Sequence, residues 1–383
     1  MSVARMFSSG ARLVVAIAMI SACSAGPAAT AVNTPAVTQA PPTDAPFDAA
    51  AYFEGKTIRL VITSSPGGGA DTVGRLIAAH LSEFIPGSPT IVPSNEERVG
   101  GMNHVYGAPP DGLTIAALGG ADGSIGRQEL PEAEFDMREI RMISAFAPTP
   151  TVWVMSGDLP YTDIRDAMGA TEPPLIHPGS VEGPEGLQGG RLQIAFLCDR
   201  LQLPCQLLQV AEDDTEALLL MMERDEANLT DAPLNTLERM GRFADFENGT
   251  LKLFGMYDVP PGTQLDLPEG VATPPHFDDV IPESARAEWE AMLPVMTGLF
   301  TAHQWVGPDV PDEIVNALQQ AMVEMMADPD VIADFAQVLQ EEIGFIPGPE
   351  AETTLHDATT VFFDQREQIR ALQQELWDKY WNQ

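Results

Sequence analysis

The sequence predicts an α/β protein, and three patterns along the chain carry that prediction. Short apolar runs of strand length alternate with stretches whose apolar residues recur at helical spacing. Glycines gather where a run ends and a helical stretch begins. With 383 residues, 44% of them hydrophobic, the chain can build two substantial cores.

In order, "TIRLVIT" at 57–63 reads as a buried strand. Gly67, Gly68 and Gly69 follow. Val73, Leu76, Ile77 and Leu81 then repeat at helical spacing behind Asp71, which the pattern places as an N-cap. "PTIVP" (89–93) is a second short strand, and "GGMNHVYGA" opens a short helix that Pro109 and Pro110 stop. "LTIAALGG" (113–120) is a strand ending in glycines, and "RMISAFAPTPTVWVM" (141–155) holds two apolar runs around Pro148 and Pro150. The glycine-rich "HPGSVEGPEGLQGG" leads into a helix over 192–201, followed by a short apolar run at 207–210 and the helical "TEALLLMMERDEA". "TLKLFGMYD" (250–258) is a strand; 313–326, 330–342 and a long segment from about Thr353 are helical. Met325 and Met326 are expected to pack in the core. The alternation implies mostly parallel sheets, in which ligands sit beyond the carboxyl ends of strands. No internal repeat is present.

The N-terminus reads as an address. "MSVARMFSSGARLVVAIAMISAC" has Arg5 and Arg12, an apolar run from Leu13 to Ile20, then Ile20-Ser21-Ala22-Cys23. Positive, apolar and small-residue regions in that order make an export signal, too short to span a membrane. Its last four residues resemble a bacterial lipobox, with residues 1–22 as the lipoprotein signal and Cys23 as the acylated N-terminus. An ordinary cleaved signal with an incidental cysteine is the alternative. The stretch 23–54 is rich in Ala, Pro and Thr without apolar period, and reads as a disordered tether, with folded sequence from near Lys56. Cys198 and Cys205 are either a small disulfide, which an exported chain permits, or two separate buried thiols.

Charge narrows the partners. The chain has 20 Lys+Arg against 56 Asp+Glu, net −36, which repels nucleic acid and anionic lipid. The acidity reads as a solvated surface. No acidic cluster has calcium-loop spacing, and neither metal nor cofactor is expected.

Glycines at 67–69 let the chain turn tightly and bring N–H groups close to a partner. The following helix adds a partial positive charge, so the turn is suited to an anion, with Ser64 and Ser65 as hydroxyl donors. A tight turn without a ligand is the alternative. No lysine follows, so it is not a nucleotide P-loop, and G-x-G-x-x-G is missing.

An enzyme would need a supported nucleophile or base. None of His80, His104, His177, His276, His303 and His356 lies in H-E-x-x-H, and Ser180 is not in G-x-S-x-G. The expectation is a non-enzyme. A hydrolase using His104 and His177, in loops that open toward the cleft, is an alternative reading, as is a tethered sensor or scaffold.

Lys56 to Gly120 resembles the solute-binding receptors of tripartite tricarboxylate transporters, the Bug-type receptors. Pro66, Gly67, Gly68, Asp71, Arg75, Gly100, Gly101, Pro110, Asp111 and Gly112 match that family's pattern in order and spacing. "EFDMREIRMISAF", "HPGSVEGPEGLQGG", "HQWVGPDVPDEIVNALQQAM" and "ADPDV" are similar to later segments. The resemblance spans nearly all of the chain after the tether and is loosest in the middle. It implies a two-lobed type II periplasmic-binding-protein-like fold with a hinge and a central ligand cleft. Lobe 1 would comprise 55–150 and 256–383, and lobe 2 residues 151–255. It further implies a small organic acid, such as an amino acid or a di- or tricarboxylate, held by backbone donors. The first lobe would offer Ser64, Ser65, Pro66, Gly67, Gly68, Gly69 and Asp71, with Gly119, Gly120 and Ala121 nearby. The second would offer Gly179, Ser180 and Gly183, with Asp231 near the cleft. Implied partners are the large and small membrane subunits of a permease, with the chain held at the outer face of a membrane by its lipid anchor.

The chain departs from the family at Val210-Ala211-Glu212-Asp213-Asp214, where a tyrosine and a lysine are expected, and at "IVPSNEERVGG". Glu212 or Asp213 facing the ligand would favour a cationic or zwitterionic solute; otherwise they are solvated loop charges.

Overall fold

Strand β1 (Thr57–Ile62) is buried on one face throughout and on both faces from Leu60 onward, which is why its second half reads as an unbroken apolar run. Ile58, Leu60 and Ile62 enter one core with Val73, Leu76, Ile77 and Leu81 of the helix Gly69–Phe84. Val61 faces the other way, toward Val99, Met102 and Val105 of the helix Arg98–Tyr106. A computed structural model describes residues 46–383, except 65, 68, 120–123, 182, 212–214, 340–343 and 383. Cys23, Ser65, Gly68, Gly120, Ala121, Glu212 and Asp213 therefore lie outside the described residues.

The remaining strands are β2 (Thr90–Asn95), β3 (Thr114–Gly119), β4 (Arg141–Phe146), β5 (Thr151–Ser156), β6 (Leu175–Gly179), β7 (Cys205–Gln209), β8 (Leu229–Pro233), β9 (Leu251–Tyr257), β10 (Ala302–Val306) and β11 (Phe345–Pro347). Six form one sheet in the order β11-β4-β10-β3-β1-β2. β1 runs parallel to β2 and β3, whereas β10 is antiparallel to β3 and β4, and β11 to β4. A second, antiparallel sheet has the order β8-β5-β9, and β6 pairs with β7 in parallel. The fold is a two-lobed α/β arrangement with mixed sheets, not mostly parallel ones. The reason is topological: β10 re-enters the centre of the first sheet after the excursion through the second, and its fully buried residues carry no mark of direction.

Where the chain passes between the sheets, hydroxyls tie it together. Thr301 donates its Oγ1 to the Ala147 carbonyl at 2.8 Å, and its N–H to that of Phe146 at 2.9 Å. The Thr149 N–H donates to Thr301 Oγ1 at 2.9 Å.

Two local points differ from the sequence reading, and a third, left open between two alternatives, is decided. Order begins before Lys56: Asp48 caps the helix Ala49–Phe53, Phe53 is fully buried, and the Tyr52 hydroxyl donates to the Asp111 carbonyl at 2.8 Å. Two aromatics thus anchor a segment whose composition alone looks unstructured. Asp71 is not an N-cap but the third residue of its helix, which starts at Gly69. Cys198 and Cys205 form a disulfide that staples the end of the helix Gly189–Arg200 to the start of β7.

Candidate functional site

Behind β1, Asp71 organises the glycine turn. Its carboxylate accepts the Gly67 N–H and the Arg75 Nε–H, each at 2.9 Å, and an Asn95 Nδ2 proton at 2.8 Å. Asn95 also donates to the Ser64 carbonyl at 3.0 Å. The bond from Arg75, with those from Gly67 and Asn95, outweighs burial and lowers the Asp71 carboxyl to about 2. The turn is held from within by its own helix. Pro66 and Gly67 are exposed, and the Gly67 amide is engaged by Asp71. Ser64 is half-buried, and its hydroxyl finds no partner among the described residues. Gly119 ends β3 against the first turn of this helix; a Cβ there would sit 2.0 Å from that of Ala70.

In the second lobe, β6 delivers Gly179 and Ser180, and a loop through Gly183 leads to Gln188 and the helix Gly189–Arg200. Gly189 and Gly190 supply its first turn, whose amides have no acceptor within the helix and no side-chain cap from Gln188. Packing demands glycine at 190, because a Cβ would come within 2.5 Å of Asp231 Oδ2. Asp231, on β8, accepts from Arg191 Nη1 at 2.7 Å and from the Tyr257 hydroxyl at 3.2 Å. The His177 Nε2 lies 3.4 Å from Asp231, and its ring stacks on Trp153 at 5.2 Å, buried beneath the site. Burial pushes the Asp231 carboxyl up, but the Arg191 charge and the His177 bond win and hold it below the usual range. Burial also raises the Tyr257 hydroxyl well above its ordinary value.

Asp258 follows β9 with φ +63°, unusual for a residue with a side chain. It accepts from Thr151 Oγ1 at 3.0 Å and from the Gly298 N–H at 2.8 Å. Burial raises its carboxyl to about 7, with the charge of Asp231 adding to the effect.

Two abutting cavities result. One, of about 530 Å³, is lined by Ser180, Gly189, Gly190, Arg191 and Asp231 from the second lobe and by Tyr257 at the end of β9, with Arg98, Arg127 and Glu132 opposite. The other, of about 370 Å³, is lined by Gly69 and Ala70 across from Thr215, Asn235, Thr236 and Arg239. Thr151, Pro233 and Asp258 belong to both walls. Each cavity therefore meets the first turn of a long helix. In the larger one Arg98, Arg127 and Arg191 face Glu132, Asp231 and Asp258, a balance of cations far above the 20 against 56 of the whole chain. An anion driven off by the surface at large therefore meets a lining of balanced charge here.

Of the expected site residues, Ser180, Asp231 and Gly69 line this cleft. Gly119 does not line it but packs against Ala70, which does. Gly179 packs under Arg191, whose Cδ would lie 2.4 Å from an added Cβ. Ser64, Pro66, Gly67, Asp71 and Gly183 do not line either cavity. His104 pairs with Glu96 at 3.0 Å, away from both. Sequence reasoning missed Arg191, Tyr257 and Asp258. Asp258 had a signal: an acid at the carboxyl end of an apolar strand, shortly before Pro260-Pro261, occupies a ligand position.

A cleft between two α/β lobes, entered by helix N-termini, defines the periplasmic-binding-protein class of fold. Among solved structures the chain is similar to a TctC solute-binding protein from Polaromonas, with 15% identity, a TM-score of 0.58, and 85% of this chain and 98% of that one covered. It is similar to Rpa4515 of R. palustris, solved with adipate, at 16% identity and TM-score 0.56, covering 83% and 97%. It is likewise similar to the periplasmic binding protein BugD, at 17% identity and TM-score 0.54, covering 85% and 97%. No family model and no curated protein matches the chain. The likeness read in the sequence is thus present in the fold. Among the described residues no helix is long and apolar enough to cross a membrane.

Proposed function

We propose that this chain is an extracytoplasmic solute-binding receptor that holds a small organic carboxylate reversibly and hands it to a membrane permease with one large and one small subunit. The observation that carries this reading is the pair of helix first turns, Gly69-Ala70 and Gly189-Gly190, opening onto abutting cavities between the lobes. Main-chain donors at a helix N-terminus suit a carboxylate, and closure of the lobes strengthens such bonds by removing water. No covalent chemistry is needed.

The lobes are assigned as 55–150 with 256–383, and 151–255, with their hinge where Thr149, Asp258 and Thr301 cross-tie the passing chains. Within the cleft, Ser180, Asp231 and Gly69 are assigned to the ligand wall, and Asp71 and Gly119 to holding the first turn in place. The disulfide supports an oxidising compartment, hence export. Residues 1–22 would be removed and Cys23 acylated, anchoring the protein to a membrane face. A Cys23→Ser variant should appear in the soluble extracytoplasmic fraction; retention on membranes would refute acylation.

Thermal-shift screening of mono-, di- and tricarboxylates and amino acids tests the binding role. A ligand at about 100 times its Kd adds about 2.7 kcal/mol of stability. A panel in which nothing shifts the melting temperature would remove the carboxylate reading.

A further inference from the structure

Asp258 is a half-buried carboxyl that no cation pairs with among the described residues; its partners there are the Thr151 hydroxyl and the Gly298 N–H. It forms part of the wall of both cavities, and its backbone is held at φ +63°. A carboxylate largely withdrawn from water and satisfied only by neutral donors carries a desolvation cost that a bound cation would relieve. Asp231, the other acid of this wall, already has Arg191 as counter-ion at 2.7 Å. One acid is thus matched, and its neighbour is open to a positive group brought by the solute. The same cavity places the first turn of Gly189–Arg200 and the Arg191 guanidinium where a negative group is favoured.

We propose that Asp258 seats an ammonium group, so that the cleft selects an amino-carboxylate, whose carboxylate rests on the Gly189-Gly190 turn beside Arg191. This rests on the receptor reading above and names its solute class. The unusual backbone fits a residue kept for its side chain. Charged neighbours set how the subsite responds to pH. Asp231 on β8 and Tyr257 on β9 lie next to it; Arg98, Arg127, Glu132 and Arg191 face it across the larger cavity, and Arg239 across the smaller. Because burial keeps the Asp258 proton on to about pH 7, seating an ammonium expels that proton to solvent. Affinity for an amino-carboxylate then rises as pH goes from 6 to 8. A dicarboxylate, repelled by the ionised acid, binds no better over that range.

The test is isothermal titration of the purified protein with two length-matched series: dicarboxylates such as succinate, glutarate and adipate, and ω-amino acids such as β-alanine and 4-aminobutyrate, together with L-aspartate and L-glutamate. The proposal expects binding by an amine-bearing member, tighter at pH 8 than at pH 6, and weakened roughly 30-fold or more by Asp258→Asn. Asparagine keeps the acceptor for Gly298 and tolerates this backbone, and a single cooperative melting transition, coinciding with the parent's at pH 4, confirms that the variant folds. Dicarboxylates binding while every amine-bearing solute fails would overturn this inference and leave the receptor reading intact. Unchanged affinity of the variant for an amine-bearing solute would also overturn it. Failure of both series would remove the receptor reading, and this one with it.

Discussion

Replacing Asp231 by Asn removes one charge without changing shape, and the structure sets the size of the effect. Three groups converge on that carboxylate: Arg191 at 2.7 Å, Tyr257 at 3.2 Å and His177 at 3.4 Å. The side chains of Arg191 and Asp231 are 15% and 14% exposed, so solvent screening is weak. Breaking one side of a buried pair costs about 3–5 kcal/mol, and the open cavity argues for about 3. Unfolding entropy of about 2.1 cal/mol/K per residue, taken over the folded body Phe47–Gln383, makes about 0.7 kcal/mol per degree. The Asp231→Asn variant should therefore melt about 4 °C below the parent at pH 7. The folded-state carboxyl lies below its unfolded value, so this stabilisation is complete above about pH 4 and fades as pH falls further. Calorimetry at pH 7 and at pH 3 reads both effects. Adding Arg191→Gln should recover part of the loss, because the uncompensated guanidinium is then gone. A melting temperature within about 1 °C of the parent at pH 7 would show that the pair behaves as a solvated surface contact.

Other expectations concern the remaining carboxyls and the cross-link. Asp258 is raised to about 7 in the folded protein, so its contribution is fully present below about pH 4 and lost as pH rises through 7. Asp258→Asn should therefore melt higher than the parent at pH 8, by up to roughly 5 °C, with the gap closing by pH 4; a pH-independent gap would contradict this. Asp71→Asn should cost about 1–2 kcal/mol by loosening the Gly67 turn, and raise protease sensitivity near residues 64–69; an unaltered cleavage pattern would show that Asp71 does not hold the turn. Reducing Cys198–Cys205, a closure spanning a separation of 7 residues, should lower stability by about 2.5 kcal/mol in denaturant titration. No change on reduction would mean that the packing around the helix end holds without the staple.

How much of this could be read from the residues differs from element to element. β1 and the helix after it were legible because Ile58, Leu60 and Ile62, then Val73, Leu76, Ile77 and Leu81, are buried against one another. The helix Glu283–Met296 had a readable stripe in Ala285, Trp289, Met292 and Met296, but Pro294 inside it masks the pattern. β10 resembled a family segment without declaring its antiparallel course, since direction is decided by where the chain has been. At the site, glycine turns drew attention because their backbone role is local. Arg191, Asp231, Tyr257 and Asp258 meet only through the pairing of β5 with β8 and β9 and the placing of the helix Gly189–Arg200 beside them. Such convergence is tertiary and leaves no spacing to read. The glycine at 67 showed the limit in the other direction: its turn was foreseen, whereas its amide proves engaged by Asp71.

The most direct test is equilibrium dialysis of the purified protein against the carboxylate and amino-acid panel, followed by chemical recovery of the solute. The account predicts saturable binding of one molecule per chain, abolished by Gly190→Val, with the solute returned unaltered. Absence of binding, binding that survives a valine side chain driven into Asp231, or recovery of a converted product would contradict it.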